Sequence, residues 1–321
     1  MKNILEVQNL KKYFKVSNGY LHAVDNVSLK ISKGSTLGVV GESGCGKSTL
    51  GRTILHLLDS TGGKIIFEGK DITNAKGKLL GRLREDMQMI FQDPFSSLDP
   101  RFTVSQIIAE PLQIKGGMTR SEINERTSEL MQIVGLDDRF ENAYPHELDG
   151  GRRQRIGIAR ALALDPKFIV CDEPVSALDV SIQAQIINLL KDYQEKNGLT
   201  YMFISHDLSV VEYISDEVAV MYLGEVIEKA PTAELFAHPM HPYTIVLNAS
   251  VPQPDIHAKR DRKLIRGELT SPVNPAPGCR FRPRCPFAQD RCAEAQHLTE
   301  IKPDHFVSCC LAQEINDRLI I

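Results

Sequence analysis

The chain has 321 residues, of which 42% are hydrophobic and 25% are charged, and its net charge at pH 7 is -3. These values are typical of a globular protein with room for about two domains. They give no basis for nucleic-acid binding, which favours a strongly basic surface, and no stretch approaches the roughly 20 apolar residues of a membrane-spanning helix. Because the carboxylate of Glu6 comes too early for a secretory signal, we expect a cytoplasmic protein.

Apolar runs alternate with helical patterns through residues 1–250, which predicts an α/β domain. Three short apolar runs are typical of strands buried on both faces of a parallel sheet: Leu37–Val40, Phe168–Cys171 and Tyr201–Ile204. Helices are predicted over two stretches: Arg153–Leu164 and Ser181–Lys196. Flanking antiparallel strands are expected over three more: Leu5–Val7, Val24–Leu29 and Val218–Ile227.

The composition of the sequence changes near Val251, where prolines become frequent and the hydrophobic periodicity ends. We therefore predict a second region over 251–321, a linker followed by a small irregular module. Cys279 and the four cysteines after it make up most of the seven in the chain. In a reducing cytosol such a group favours metal or cluster binding over disulfides.

A glycine-rich stretch, Gly41–Ser48, fits the P-loop pattern and lies between a predicted strand and a predicted helix. Its glycines allow backbone N–H groups to face phosphates at the positive end of the helix. We expect Lys47 to reach the β- and γ-phosphates and the Ser48 hydroxyl to ligate Mg²⁺. The residues predicted to contact ATP here are Ser43, Gly44, Cys45, Gly46, Lys47, Ser48 and Thr49.

The apolar run that starts at Phe168 ends in two carboxylates, Asp172 and Glu173. Alone, such a strand end is often a helix-capping loop. In a chain with a P-loop we expect Asp172 to hold Mg²⁺ through water, and Glu173 to orient or deprotonate the attacking water.

These and later motifs resemble those of ABC transporter ATPases over essentially the whole chain. The resemblance implies a P-loop ATPase with a mainly parallel core sheet, an antiparallel β flank and a helical subdomain at about 93–165. Gln92 matches the Q-loop glutamine, which contacts Mg²⁺ and the lytic water, and His206 matches the switch histidine. The signature and D-loop positions fall on Asp149, Gly150, Gly151 and Asp179. Lys47, Gln92, Glu173 and His206 are thus the predicted catalytic residues, and an aromatic, Phe14 first and Tyr13 second, is expected to stack on adenine.

Two further stretches, Phe91–Arg101 and His238–Thr244, resemble the Q-loop extension and the His-Pro-Tyr segment of oligopeptide and dipeptide importers. That resemblance implies an ATPase at the cytoplasmic face of the membrane. Its implied partners are two permease subunits, a second ATPase subunit in a heterodimer or homodimer, and indirectly a solute-binding protein. A nickel-importer ATPase and a non-transport ABC ATPase with a metal-sensing tail remain open alternatives.

Four tail cysteines are spaced too widely for a zinc ribbon, which needs paired C-x₂-C knuckles: Cys279, Cys285, Cys292 and Cys309. Peptide-importer ATPases with a similar tail bind a [4Fe–4S] cluster, for which four thiolates suffice. The resemblance implies that these four hold it and that Cys310 is spare, with zinc or free thiols as alternatives. Four arginines either offset the cluster charge or form a solvated face: Arg280, Arg282, Arg284 and Arg291.

The signature departs from the family pattern Leu-Ser-Gly-Gly-Gln, because Asp149 and Arg152 replace the serine and the glutamine. In the family, this serine donates a hydrogen bond to the γ-phosphate bound by the partner subunit. An ionised carboxylate cannot donate and would repel phosphate, so one site of the dimer would turn over slowly. Alternatively, Asp149 simply caps its own helix.

Overall fold

The computed structural model describes residues 2–249 and 271–319. The chain divides into two compact units, Met1–Thr73 with Ser205–Ile321, and Asn74–Ile204. The predicted helical subdomain at 93–165 lies within the second unit. The predicted domain boundary at 250/251 lies outside the described residues.

The first unit begins with a long β-hairpin and the P-loop region. Its elements are β1 (Asn3–Val16), β2 (Gly19–Ser32), β3 (Thr36–Val40), α1 (Lys47–Ile54), β4 (Gly62–Phe67) and β5 (Lys70–Asp71). One antiparallel sheet has the strand order β2-β1-β4-β5. The hairpin strands far exceed the predicted Leu5–Val7 and Val24–Leu29, and register shifts along β1 interrupt their regular pairing.

The second unit contains α2 (Gly77–Asp86), β6 (Met87–Ile90), α3 (Pro94–Ser97), α4 (Val104–Lys115), α5 (Arg120–Ile133), α6 (Gly150–Leu162), β7 (Phe168–Asp172), α7 (Val180–Asn197) and β8 (Thr200–Ile204). Strands β6, β7 and β8 pair in parallel. Every residue of β7 and β8 is buried, as expected for parallel strands covered on both faces. The structure confirms both predicted strands to within one residue.

The first unit resumes with α8 (Leu208–Ile214), β9 (Glu217–Tyr222), β10 (Glu225–Pro231), α9 (Thr232–Ala237) and α10 (Pro242–Ala249). The tail segment, which we define as residues 271–319, adds β11 (Thr299–Lys302), β12 (His305–Val307) and α11 (Ala312–Leu319). Within this unit the strand order is β11-β12-β10-β9-β3. The prediction for Val218–Ile227 was partly wrong, because β9 pairs with β3 in parallel and only β10 is antiparallel to its neighbours.

A buried carboxyl group, Glu228 on β10, joins three parts of the first unit. It accepts hydrogen bonds from the backbone N–H groups of Met240 at 2.7 Å and His241 at 2.9 Å. The Nε2 atom of His305 on β12 donates a third bond at 2.7 Å. Glu228 and His305 are both fully buried. The His-Pro-Tyr segment and the tail segment are therefore both anchored to one side chain of β10.

Among the helices in the described ranges, none combines the length and apolar character that crossing a membrane requires.

Candidate functional site

The predicted P-loop, Gly41–Ser48, connects β3 to α1 in the first unit. Gly41, Gly44 and Gly46 have φ angles of 150°, 78° and 104°, which residues with a Cβ atom rarely adopt. A Cβ atom at Gly46 would lie 2.0 Å from the carbonyl oxygen of Ala23. The loop therefore needs glycine for its turns and for its close packing on the hairpin.

Lys47 is the first residue of α1 and is only 5% exposed. Its ammonium group donates hydrogen bonds to the carbonyl oxygens of Gly41 at 2.8 Å and Glu42 at 3.1 Å. Gly46, at the N-cap, provides no side-chain cap for the helix. A buried cation beside an N-terminus with no side-chain cap is an arrangement suited to binding phosphate.

The two candidate adenine-stacking aromatics lie on opposite faces of β1. The Tyr13 ring stacks on His22 with centroids 3.9 Å apart, and its hydroxyl donates to Asp25. Although burial opposes it, hydrogen bonds from Tyr13 and His22 hold the pKa of Asp25 below its ordinary value. Phe14 instead has the ammonium of Lys12 4.9 Å from its ring centroid, since residues two apart share a face of a strand.

Of these two aromatics, Tyr13 is the one whose hydrogen-bond partners lead toward the P-loop. The backbone N–H of Asp25 donates to Gly224 at 2.8 Å, and the N–H of Gly224 donates to Cys45 at 2.8 Å. Lys12, which covers Phe14, donates instead to the carbonyl of Asp59 at 2.7 Å.

His206, the predicted switch histidine, is exposed just before α8 in the first unit. The turn around it is held on both sides. Ser205 donates its N–H to the carbonyl of Val39 at 3.2 Å, and Asp207 caps α8 by accepting from the N–H of Ser209 at 2.9 Å. The backbone of His206 therefore lies next to the end of β3, the strand that leads into the P-loop.

The second unit brings together two predicted catalytic residues, Gln92 and Glu173. The amide of Gln92 donates to a carboxylate oxygen of Glu173 at 2.9 Å. Glu173 has φ of 46°, a strained conformation for a residue with a side chain, and such strain recurs at active sites. Its N–H donates to Ile204 at 2.9 Å, which holds the strained turn, while Asp172 is fully buried at the end of β7.

Asp149 caps α6, as one of the two interpretations predicted. Its carboxylate accepts from the N–H of Arg152 at 2.8 Å and from the guanidinium of the same residue at 2.6 Å. A Cβ atom at Gly151 would lie 2.9 Å from Ile182 on α7, so this glycine permits close helix packing. Asp179 caps α7 through the N–H of Ile182 at 3.0 Å. The signature and D-loop positions are thus adjacent N-caps.

All five tail cysteines line one small cavity of the first unit: Cys279, Cys285, Cys292, Cys309 and Cys310. His241 of the His-Pro-Tyr segment also lines it. Burial raises the pKa of Cys279 to about 11 and that of Cys309 to about 12, and neighbouring thiols add to both shifts. In the described ranges, no group of three His, Cys, Asp or Glu side chains is arranged to hold a single metal ion.

The cavity leaves one buried donor without a partner. His241 is 1% exposed, and its Nδ1 atom accepts from the N–H of Tyr243 at 3.1 Å. Burial lowers the pKa of His241 to about 4, so the neutral ring carries its proton on Nε2. That atom has no hydrogen-bond partner in the described part of the chain.

Two of the four tail arginines, Arg280 and Arg284, have side chains buried in ion pairs and do not belong to a solvated face. Arg280 is 6% exposed and pairs with Asp25 and with Glu225, and burial raises the pKa of Glu225 to about 7. Arg284 pairs with Glu42 of the P-loop at 2.8 Å. The sequence carried no local signal for these partners, since Arg284 and Glu42 are 242 positions apart.

A P-loop between strand and helix, together with paired carboxylates after a buried parallel strand, defines the class of P-loop ATPases. Residues 24–176 match the family described as ABC transporter. Residues 227–292 match the oligopeptide/dipeptide transporter C-terminal region.

The oligopeptide transport ATP-binding protein AppF of Bacillus subtilis is 52% identical over 97% of this chain and 98% of its own length. OppF of Escherichia coli is 49% identical over 96% of both chains. The dimeric post-hydrolysis structure of the ATP-binding cassette MJ0796, bound to ADP and Pi, superposes with a TM-score of 0.67 at 31% identity, over 71% of this chain and 98% of that one.

The chain belongs to the ABC transporter ATP-binding family, in the branch with the oligopeptide/dipeptide C-terminal region. It is an ATPase with the ABC cassette fold.

Proposed function

We propose that this ATPase energises the uptake of peptides through an ABC importer. The observation that carries the proposal is the match of residues 227–292 to the oligopeptide/dipeptide C-terminal region, in a chain about half identical to AppF and OppF over nearly its full length. We infer that it binds the cytoplasmic face of the membrane through two permease subunits. A second ATPase subunit, different from or identical to this chain, completes the motor.

Reconstitution into liposomes with the permeases and the solute-binding protein tests this function. We expect ATP-dependent uptake of labelled peptide, and co-purification of two membrane proteins with a second ATPase. Uptake of nickel in place of peptide would support the nickel-importer alternative, and absence of any permease from the purified complex would support a non-transport ATPase.

We propose that the chain uses its P-loop and its paired carboxylates to bind MgATP. Lys47 and residues 43–49 hold the phosphates, while Ser48, Gln92 and Asp172 hold Mg²⁺ directly or through water. Glu173 activates the water and His206 completes the site. For adenine we favour Tyr13 over Phe14, because its hydrogen-bond chain leads to the P-loop.

We propose that Cys279, Cys285, Cys292 and Cys309 hold a [4Fe–4S] cluster in the tail segment. The shared cavity supports this, and its donors are sulfur atoms in mainly apolar surroundings. The partnerless Nε2–H of buried His241 would suit a sulfide or thiolate acceptor. When bound, such a cluster would cross-link the segment through four iron–thiolate bonds.

Two single variants at neighbouring residues test for the cluster, each purified without oxygen. We expect about four iron and four sulfide per chain in the natural protein, a loss of most of both in Cys309→Ser, and full retention in Cys310→Ser. Cys310→Ser is the matched control, because it removes the neighbouring thiol. A colourless protein with one stoichiometric zinc would contradict the proposal.

We propose that the signature of this chain slows the site that it completes on a partner subunit. A charge at ~4 Å from phosphate opposes its binding by about 4 kcal/mol at an effective dielectric constant of 20. The pairing with Arg152 at 2.6 Å and exposure to solvent reduce that repulsion.

Asp149→Ser removes this charge and retains a good N-cap. We therefore expect ATPase turnover of the assembled transporter to rise by about tenfold, equivalent to roughly 1.4 kcal/mol. Asp137→Ser, another exposed N-cap in the same unit, is the control. Unchanged turnover in Asp149→Ser would leave capping as the only role of this aspartate.

A further inference from the structure

The tail segment contacts the P-loop through an ion pair that is largely shielded from solvent. The two terminal nitrogens of Arg284 donate to the two carboxylate oxygens of Glu42 at 2.8 and 3.1 Å. The side chains are 8% and 23% exposed. A bidentate pair with so little solvent fixes both the distance and the orientation of its partners.

The backbone of Glu42 is held as firmly as its side chain. Its N–H donates to the hydroxyl of Tyr243 at 2.8 Å. The Tyr243 ring packs against Tyr222 and against Phe281 of the tail segment, with centroids 4.8 and 5.5 Å apart, and all three rings are fully buried. Arg284 also donates to the Tyr222 hydroxyl at 3.2 Å, so the ion pair and the aromatic cluster form one structure.

Glu42 also contacts Lys47 directly, because the Lys47 ammonium donates a hydrogen bond to the Glu42 carbonyl at 3.1 Å. The intervening loop contains Gly44 and Gly46, both with positive φ, and glycine leaves a backbone free to adopt other conformations. An anchor at Glu42 restricts that freedom before the phosphates arrive, which raises affinity by preorganisation.

Arg280 connects the tail segment to the β1–β2 hairpin, as Arg284 connects it to the P-loop. Its guanidinium donates to Asp25 and to the carbonyl of Leu223, and Asp25 also accepts from the Tyr13 hydroxyl. Two arginines four residues apart in the tail segment thus reach both the P-loop and the aromatic that we favour for adenine.

We propose that Arg284 is a positioning residue for ATP binding, acting through Glu42 on the P-loop and on Lys47. The tail segment is by this means part of the nucleotide site and not only an appendage. The inference rests on ATP binding, which the family establishes, and stands whether or not the segment holds a cluster or the importer carries peptides.

The test is equilibrium binding of a fluorescent ATP analogue without Mg²⁺, alongside the kcat and KM of ATPase turnover. We expect Arg284→Gln to raise the Kd about three- to tenfold, with kcat at saturating ATP changed less than twofold. Arg284→Lys, which keeps the charge without the bidentate geometry, should have a Kd between those of the natural protein and Arg284→Gln. Glu42→Gln should match Arg284→Gln, and the double variant should be no weaker than either single one.

Arg291→Gln is the matched control. One terminal nitrogen of Arg291 donates to both carboxylate oxygens of Glu314 in the same segment. Both side chains are exposed, so the loss of this pair should leave the Kd unchanged. Circular dichroism and Tm show whether each variant is folded. A folded Arg284→Gln with a Kd within twofold of the natural protein would overturn the proposal, as would Kd losses for Arg284→Gln and Glu42→Gln that simply add. If Arg284→Gln does not fold, Glu42→Gln decides by the same criterion.

Discussion

Replacing Glu173 by Gln is expected to lower ATP turnover by about 10²- to 10⁴-fold, the usual contribution of a general base. ATP should still bind, because the P-loop and Lys47 are unaltered. Glutamine is nearly the same size and can still accept the hydrogen bond from Gln92. Turnover measured with excess ATP, together with nucleotide affinity, checks this expectation.

Glu195→Gln, on the exposed face of α7, is the control for this experiment, since it removes a carboxylate from the same unit. If Glu173→Gln retained turnover within tenfold of the natural protein, another group would have to activate the water. His206 would then be the next residue to substitute.

Replacing Glu228 on β10 by Ala should strongly destabilise the first unit, because this side chain anchors both the His-Pro-Tyr segment and the tail segment. The substitution leaves two backbone N–H groups and the His305 ring without their acceptor in a fully buried place. Removing one partner from such a network costs about 3 kcal/mol or more. We expect the Tm to fall by roughly 5 °C or more.

Glu294→Ala, an exposed carboxylate of the tail segment, should leave the Tm within about 1 °C, since surface substitutions change stability little. Limited proteolysis locates the destabilised segments, because cleavage should concentrate in residues 238–249 and 299–310. An unchanged Tm in Glu228→Ala would mean that water replaces the lost acceptor.

The sequence predicted best where a single local pattern carried the information. The strands at Phe168–Cys171 and Tyr201–Ile204 are uniformly apolar, and burial on both faces of a parallel sheet requires that composition. The P-loop depends on glycines and a lysine within eight residues, so its motif lies entirely within one stretch. The β1–β2 hairpin was underestimated, and register shifts along β1 interrupt its regular pairing.

The charged contacts of the tail could not be predicted. Arg284 and Glu42 are 242 positions apart, and nothing near either residue in the sequence indicates the other. The contact also involves Tyr222 of β9 and Tyr243 of the His-Pro-Tyr segment.

Glu228 lies in a strand that also contains Glu225 and Lys229, so its charge did not stand out, and its role depends on His305, 77 positions away. The structure therefore shows ion pairs between residues far apart in the sequence, whereas the local motifs of the site could be predicted from the sequence.

The N-cap geometry of Asp149 also bears on how such a motor diverges. Aspartate and serine cap a helix about equally well, so exchanging one for the other leaves the folding stability of α6 nearly constant. Selection for a well-folded subunit consequently does not maintain the hydroxyl at this position. Under the function proposed above, the hydroxyl is maintained only by selection on the rate at the site that the signature completes on a partner subunit. In a pair of unlike ATPases, that selection would act on each gene separately. In such a pair, one member could lose the hydroxyl and slow its partner's site with little change in its own folding stability.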